Sequence, residues 1–105
     1  MQRGDVLRFK PRARTGHELQ GEHFAVVLQA DALLPRSVVI VAPTSMSARP
    51  ASFRPGIVVG KKSTRVLVEQ LGAVDVLRLG TSVAHLTQQE MWSVDEALLT
   101  VLGLD

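Results

Sequence analysis

The sequence has no cysteine, and aromatic side chains make up only 4% of its 105 residues. Without cysteine there is neither a disulfide framework nor a thiolate metal site, which fits a reducing compartment, so we predict a cytoplasmic protein. No apolar run approaches the roughly 20 residues that span a bilayer, and no membrane partner is expected. Because 46% of the residues are hydrophobic, aliphatic side chains must build the core of one small domain over residues 1–105.

The charged residues are divided unevenly along the chain. Residues 1–65 hold eleven of the twelve Lys and Arg but only four of the ten Asp and Glu, a balance of +7, while residues 66–105 carry −5. A basic first part suits a polyanion such as nucleic acid. The plain alternative is that these charges only solvate the surface.

Short segments with β-type composition follow one another between loops. Pro11, Gly16 and Gly21 punctuate a polar stretch that predicts a long loop, and residues 44–55 have loop chemistry. Residues 74–79 fit either a helical turn or a strand. The predicted strands lie at residues 5–10, 24–28, 37–42 (ended by Pro43), 57–59, 64–69 and 82–86. Five or six short strands of this kind indicate a small, mostly antiparallel barrel.

The end of the chain predicts one amphipathic helix. Thr87 and Glu90 form a capping box, in which each side chain can bond the backbone N–H of the other residue. Gly103 is a natural stop. The apolar stripe between them has helical spacing and consists of Met91, Val94, Leu98, Val101 and Leu102. The predicted class is therefore mainly β with a C-terminal α-helix.

Several local strings resemble, in order, those of the MazF/PemK toxins. They cover residues 3–6 (RGDV), 16–21 (GHELQG), 25–28 (AVVL), 39–45 (VIVAPTS), 69–71 (EQL), 74–75 (VD), 78–80 (RLG), 86–91 (LTQQEM) and 94–98 (VDEAL). Each string alone is weak, but together they span nearly the whole chain.

The resemblance implies the toxin component of a type II toxin–antitoxin system, with an SH3-like barrel of the CcdB/PemK/MazF type. It also implies a homodimer that cleaves single-stranded RNA at specific sequences without a metal or other cofactor. In that reaction the 2′-hydroxyl attacks the neighbouring phosphorus and leaves a 2′,3′-cyclic phosphate and a 5′-hydroxyl. The implied partner is a cognate MazE-like antitoxin, whose acidic tail occupies the RNA groove.

The family's site pairs an Arg on the second strand with a Thr or Ser after the third, and an acid in the first loop sometimes contributes. Ser45 matches the hydroxyl position and Glu18 matches the loop acid. The family's string of Gly, any residue, Arg and Pro reads GEHF at residues 21–24, so His23 stands at the Arg position. Histidine can carry a proton near neutral pH, but it is not a permanent bidentate phosphate clamp.

Each of these three side chains also has a plain interpretation: Ser45 as a turn serine, His23 as a strand-edge residue and Glu18 as a solvated carboxylate. The histidines at 17, 23 and 85 lack metal-ligand spacing, so no metal site is expected. The residues predicted to contact RNA are Lys10, Arg12, Arg14, His17, Thr44, Arg49, Arg54 and Gln70.

Two other functions compete with RNA cleavage. CcdB, a gyrase poison, shares the implied fold without cleaving RNA, and a non-catalytic relative can survive as an interaction module. The strings around Gln70 and Arg78 favour the RNase branch. The missing Arg-Pro pair at residues 23–24 favours a non-catalytic protein.

Overall fold

The computed structural model describes residues 1–10 and 23–105. Within them the chain forms a curled antiparallel half-barrel followed by one α-helix, which confirms the predicted fold class. The elements are β1 Asp5–Phe9, β2 Phe24–Val27, β3 Val38–Ser45, β4 Gly56–Val59, β5 Lys62–Val66, β6 Gly72–Asp75, β7 Leu79–His85 and α1 Gln88–Leu102.

The sheet runs in the order β4-β5-β3-β2-β1-β7, and β6 pairs with β3 beside that path. Strand β3 is the centre of the sheet because it is long enough to pair with three neighbours. Val41 pairs with Val27 of β2 and with Gly72 of β6, while Ser45 pairs with Arg65 of β5. The end of β3 is therefore held between β2 and β5.

The prediction that Pro43 ends the third strand is wrong, because β3 continues through it to Ser45. Proline lacks a backbone N–H and is tolerated in a sheet only where no ladder bond is needed. Pro43 lies between Val41, which pairs with β6, and Thr44, which pairs with β5. The connection from β5 to β6 turns opposite Pro43. The Pro43 carbonyl still accepts from the Leu67 amide of that connection at 2.8 Å.

The expected count of five or six strands is also wrong, since the described residues form seven. The ambiguous segment at residues 74–79 contains both predicted forms: the end of β6, a 3₁₀ turn at Val76–Arg78 and the start of β7. The Asp75 side chain accepts from the Leu77 amide at 2.8 Å and so caps this turn. The strand expected at residues 64–69 likewise stops at Val66, before a second 3₁₀ turn at Val68–Gln70.

Both faces of the sheet carry buried aliphatic side chains. Val94 and Ala97 of α1 pack on one face, together with β-strand residues that include Val6, Val26, Ala42, Ile57 and Val66. A second cluster on the other face consists of Leu7, Ala25, Val27, Val39 and Val41, with Phe9, Leu34, Val74, Val76 and Leu79 packed against it. Alternate residues of each strand thus face opposite ways, as strand geometry requires.

Local bonds define both ends of α1 and join the helix to the sheet. The predicted capping box is present: Thr87 Oγ1 accepts from the Glu90 amide at 3.2 Å, and Glu90 Oε1 accepts from the Thr87 amide at 2.8 Å. Glu90 Oε2 also accepts from the Val58 amide of β4 at 2.9 Å. Gly103 ends the helix in the left-handed conformation, at φ 69°. In the described part of the chain, no helix is both long and apolar enough to cross a membrane.

Candidate active site

Cross-strand pairing aligns four side chains across the face of the sheet opposite α1. Ala25 pairs with Pro43, and continuing this register by two residues sets His23 against Ser45. Ser45 pairs with Arg65 on its other side. The Phe9 amide donates to the His23 carbonyl at 2.8 Å, which extends the row to β1. Directly opposed residues in an antiparallel sheet point to the same face, so Phe9, His23, Ser45 and Arg65 form one row.

The hydroxyl of Ser45 stands at the end of β3, where the strand gives way to a loop. Its Oγ lies 3.3 Å from Ser47 Oγ and accepts from the Ser47 amide, also at 3.3 Å. The preceding Thr44 points to the opposite face, is 8% exposed and donates to the Phe24 carbonyl at 3.4 Å. Of these two hydroxyls, Ser45 is the one in the row.

The ring of His23 is half-buried just before β2, and its Nε2 atom is buried without a hydrogen-bond partner among the described residues. A buried polar atom without a partner costs roughly 1–3 kcal/mol. Such atoms are few in folded proteins, and each one calls for an explanation. A ring nitrogen without a partner can accept a proton from, or donate one to, a bound group.

Arg78 flanks the row at the Phe9 end. Its guanidinium carbon lies 4.8 Å from the centre of the Phe9 ring, a cation–π distance. Its Nε donates to the Lys10 carbonyl at 2.9 Å, and the Lys10 amide donates to the Arg78 carbonyl, also at 2.9 Å. The backbone of Lys10 therefore positions Arg78, while the Lys10 side chain is exposed.

Arg54 lies in the loop between β3 and β4, and its side chain is held by Glu69. Its Nε and Nη2 atoms lie 2.8 and 2.6 Å from Glu69 Oε2, and its Nη1 donates to the Arg49 carbonyl at 3.2 Å. The Arg54 carbonyl in turn accepts from Nη1 of Arg65 at 2.9 Å. Arg54 is therefore engaged within the protein, while Arg49 and Gln70 are exposed.

The predicted site residues are thus brought together only in part. The continued register of β2 and β3 sets His23 opposite Ser45 in the row. Lys10 and Arg54 lie near the two ends of the row, and Thr44 faces away. Glu18, Arg12, Arg14 and His17 lie outside the described residues. The site roles and RNA contacts predicted for all of these residues, and for Arg49 and Gln70, stay predictions.

Two arginines of this surface are not indicated as site residues by the sequence. Arg78 stands out in the sequence only as part of a family-like string. Arg65 sits in a strand with no motif around it, and its position opposite Ser45 depends on the pairing of β3 with β5. Only a prediction of that strand register would have found it.

A histidine–aspartate pair lies away from the row, where β1 meets the end of β7. His85 Nδ1 is 2.8 Å from Asp5 Oδ1, and the Gln2 amide donates to Asp5 Oδ2 at 2.8 Å. Burial by itself raises the pKa of Asp5, but the bonds from His85 and Gln2 and the charge of His85 outweigh it and hold the pKa below its usual value. Within residues 1–10 and 23–105, no three His, Asp or Glu side chains are grouped to hold a metal ion.

The sequence profile of one protein family, described as PemK-like, MazF-like toxin of type II toxin–antitoxin system, matches residues 2–102. The chain belongs to the PemK/MazF toxin family. A Mycobacterium tuberculosis protein named as a candidate toxin is 41% identical over 93 residues, which cover 88% of this chain and 87% of that protein.

Solved structures similar to this PemK/MazF chain share its fold at low sequence identity. An endoribonuclease from a mycobacterial species, in complex with its cognate antitoxin, gives a TM-score of 0.81 at 19% identity and covers 100% of this chain and 97% of its own. The Mycobacterium tuberculosis toxin MazF-mt6 gives a TM-score of 0.78 at 16% identity, and the match covers 96% of this chain and 98% of the toxin. A MazE–MazF crystal structure from Deinococcus radiodurans gives a TM-score of 0.78 at 19% identity, and the match covers 100% of this chain and 97% of the matched chain.

Proposed function

We propose that this PemK/MazF chain is an endoribonuclease that cleaves single-stranded RNA at specific sequences without a metal. The observation that carries the proposal is the alignment of His23 with Ser45 by the continued register of β2 and β3, together with a buried His23 Nε2 that has no partner among the described residues. Proton transfer and stabilisation of a crowded phosphate are the two tasks that such a cleavage needs. The family and the names of its mycobacterial relatives support the same activity.

In the proposed reaction the 2′-hydroxyl oxygen forms a bond to phosphorus while the bond from phosphorus to the 5′-oxygen breaks. His23 takes the 2′-hydroxyl proton and later releases it to solvent, while a solvent water gives a proton to the departing 5′-oxygen, which becomes a hydroxyl. Ser45 donates to a non-bridging phosphate oxygen, where negative charge develops. The products are a 2′,3′-cyclic phosphate and a 5′-hydroxyl, and Glu18 is proposed to assist as a base or to orient His23.

Removing the Ser45 hydroxyl tests the proposal. Ser45→Ala should lower cleavage by about 10²-fold, which is the scale for losing one donor to a developing oxyanion. The measurement is gel analysis of a bare RNA transcript incubated with protein in the presence of a chelator, with Ser47→Ala as the neighbouring hydroxyl control. A Ser45→Ala rate equal to wild type would remove Ser45 from the site.

The departure at residues 23–24 supports a second candidate, a non-catalytic relative or a gyrase-binding toxin of the same fold. Histidine and phenylalanine stand there in place of the family's Arg-Pro pair. The chelator gel separates the candidates, because a wild-type protein that leaves RNA intact favours the second. In either case we propose that the chain works in the cytoplasm as a homodimer and is neutralised by a MazE-like antitoxin.

A further inference from the structure

A histidine at position 23 leaves the proposed site without the arginine that the family resemblance implies there. The attacked phosphate is negatively charged and gains charge density as the 2′-oxygen bonds to it. A guanidinium neutralises such a group best, because it is permanently charged and donates two parallel hydrogen bonds. If His23 moves a proton, a different side chain must supply this fixed charge.

We propose that Arg65 of β5 supplies it, by binding the non-bridging oxygens of the phosphate that is attacked. The inference rests on the proposed RNA cleavage and names a further substrate-binding residue for it. Arg65 is the direct cross-strand partner of Ser45, so its side chain leaves the sheet on the same face. The nearest Cβ atoms of such partners are about 4.5–5.5 Å apart, within the span of one phosphate group and its contacts.

The donors of Arg65 remain available to a ligand. Among the described residues, the Arg65 side chain donates from Nη1 to the Arg54 carbonyl at 2.9 Å and pairs with no carboxylate. Within residues 1–10 and 23–105, its Nε and Nη2 atoms have no partner, so they can bond two phosphate oxygens. Its partner on β4 is Gly56, which has no side chain to cover it. Arg65 as a whole is half-buried, so part of the residue remains accessible.

Arg65 is also held in place before any ligand arrives. The carbonyl that anchors it belongs to Arg54, whose side chain is fixed by two contacts to Glu69 and one to the Arg49 carbonyl. This chain of bonds ties the loop after β3 to the strand that carries Arg65. A charge that is already in position stabilises a developing oxyanion without reorganisation cost.

Other arginines of the described surface are placed less well for this task. Arg54 and Arg3 are paired with Glu69 and Asp95. Arg78 lies over the Phe9 ring, at the far side of His23 from Ser45. Arg36 precedes β3, and Ser45 lies at the other end of that strand. At a rise of about 3.3 Å per strand residue, the two are roughly 20 Å or more apart.

The test compares Arg65→Ala, Arg65→Gln and Arg65→Lys with Arg36→Ala. Arg36 is a matched control, because it is an arginine whose side chain also bonds a backbone carbonyl, that of Leu33. Arg65→Gln loses the charge but can still donate to the Arg54 carbonyl, so it separates lost charge from lost structure. Two quantities are measured for each folded variant. The first is kcat/KM on an RNA transcript, and the second is the salt dependence of binding to random-sequence, fully 2′-O-methylated RNA oligonucleotides, which cannot be cleaved.

Arg65→Ala and Arg65→Gln should each lower kcat/KM by about 10²-fold. Both should also reduce the slope of log affinity against log salt by about 0.7, the value for one phosphate contact on a single strand. Arg65→Lys should keep the slope and recover only part of the rate, because it retains charge without the bidentate fork. Arg36→Ala should match wild type in both measurements.

The possible failures of the two proposals are distinguishable. If wild type cleaves RNA and a folded Arg65→Gln protein keeps both its rate and its salt slope, the role of Arg65 is overturned while the proposed function stands. If wild type binds RNA without cleaving it and the slope still falls in Arg65→Gln, the phosphate contact stands and the cleavage proposal fails. A wild-type protein that neither cleaves nor binds RNA would overturn both.

Discussion

His23 stands where the family resemblance implies an arginine, and its buried Nε2, which has no partner among residues 1–10 and 23–105, makes this difference testable. If histidine is the base, the cleavage rate should fall as the pH drops through the window of about 5–8, where histidine ordinarily changes charge. A role as a cation or general acid has the opposite sign, and the rate should then fall as the pH rises. The measurement is the pH–rate profile of wild type.

The pair His23→Ala and His23→Arg completes that test. Alanine should abolish activity under either mechanism, since both need the ring. Arginine should restore activity only if charge is what matters, because guanidinium does not give up its proton in this pH range. A flat wild-type profile together with an active His23→Ala protein would make His23 an ordinary strand-edge residue.

Asp5 offers a second pH-dependent test at the residue scale, on stability rather than activity. Its lowered pKa means that the folded state favours the charged carboxylate more than the unfolded state does. This contribution is complete above the unfolded pKa of about 3.9 and is lost as the pH falls through the lower folded value. Asp5→Asn should therefore destabilise the protein at pH 7, and the difference from wild type should shrink below about pH 4.

Urea unfolding midpoints across this pH range measure the effect of Asp5→Asn. Glu96→Gln is the control, because Glu96 is an exposed acid on α1. A stability difference that stays constant from neutral to acid pH would show that Asp5 acts through its shape or hydrogen bonds and not through its charge.

Among the secondary-structure elements, α1 depends on one carboxylate at its first turn. Thr87→Ala removes the N-cap hydroxyl and should cost about 1 kcal/mol. Glu90→Ala should cost more, because it removes bonds to the amides of both Thr87 and Val58. Denaturant unfolding of both variants, with exposed Gln89→Ala as the control, measures the difference. Equal losses in Thr87→Ala and Glu90→Ala would mean that the bond to β4 adds no stability.

The elements that the sequence predicts best are those specified by local signals. The bounds of α1 follow from Thr87, Glu90 and Gly103, whose bonds stay within a few residues. The continuation of β3 through Pro43 could not be predicted, because it depends on a gap between two partner strands far along the chain. Arg65 was missed for the same reason, since strand register is a non-local property. His23 and Ser45 were found only because the family strings surround them.

At the scale of the whole molecule, the basic first part of the chain should attract an acidic antitoxin segment. Binding should weaken as salt rises, because screening limits interactions between exposed charges to about 10 Å at 0.1 M. The measurement is the affinity for a synthetic acidic peptide at increasing salt, with a peptide of the same length and neutral side chains as the control. An affinity that salt does not change would rule out the electrostatic part of this recognition.

The bond between Glu90 and the Val58 amide has a consequence beyond the stability of α1. Strand β4 is the last strand in the sheet order, and Val58 is 56% exposed. An open sheet margin of this kind is a template on which a second chain can add a strand, the route by which many β-proteins aggregate. The Glu90 carboxylate accepts from the Val58 amide, which points away from β5, and it places a negative charge beside this edge. The side chain that caps the helix therefore also removes one backbone donor that an added strand would need.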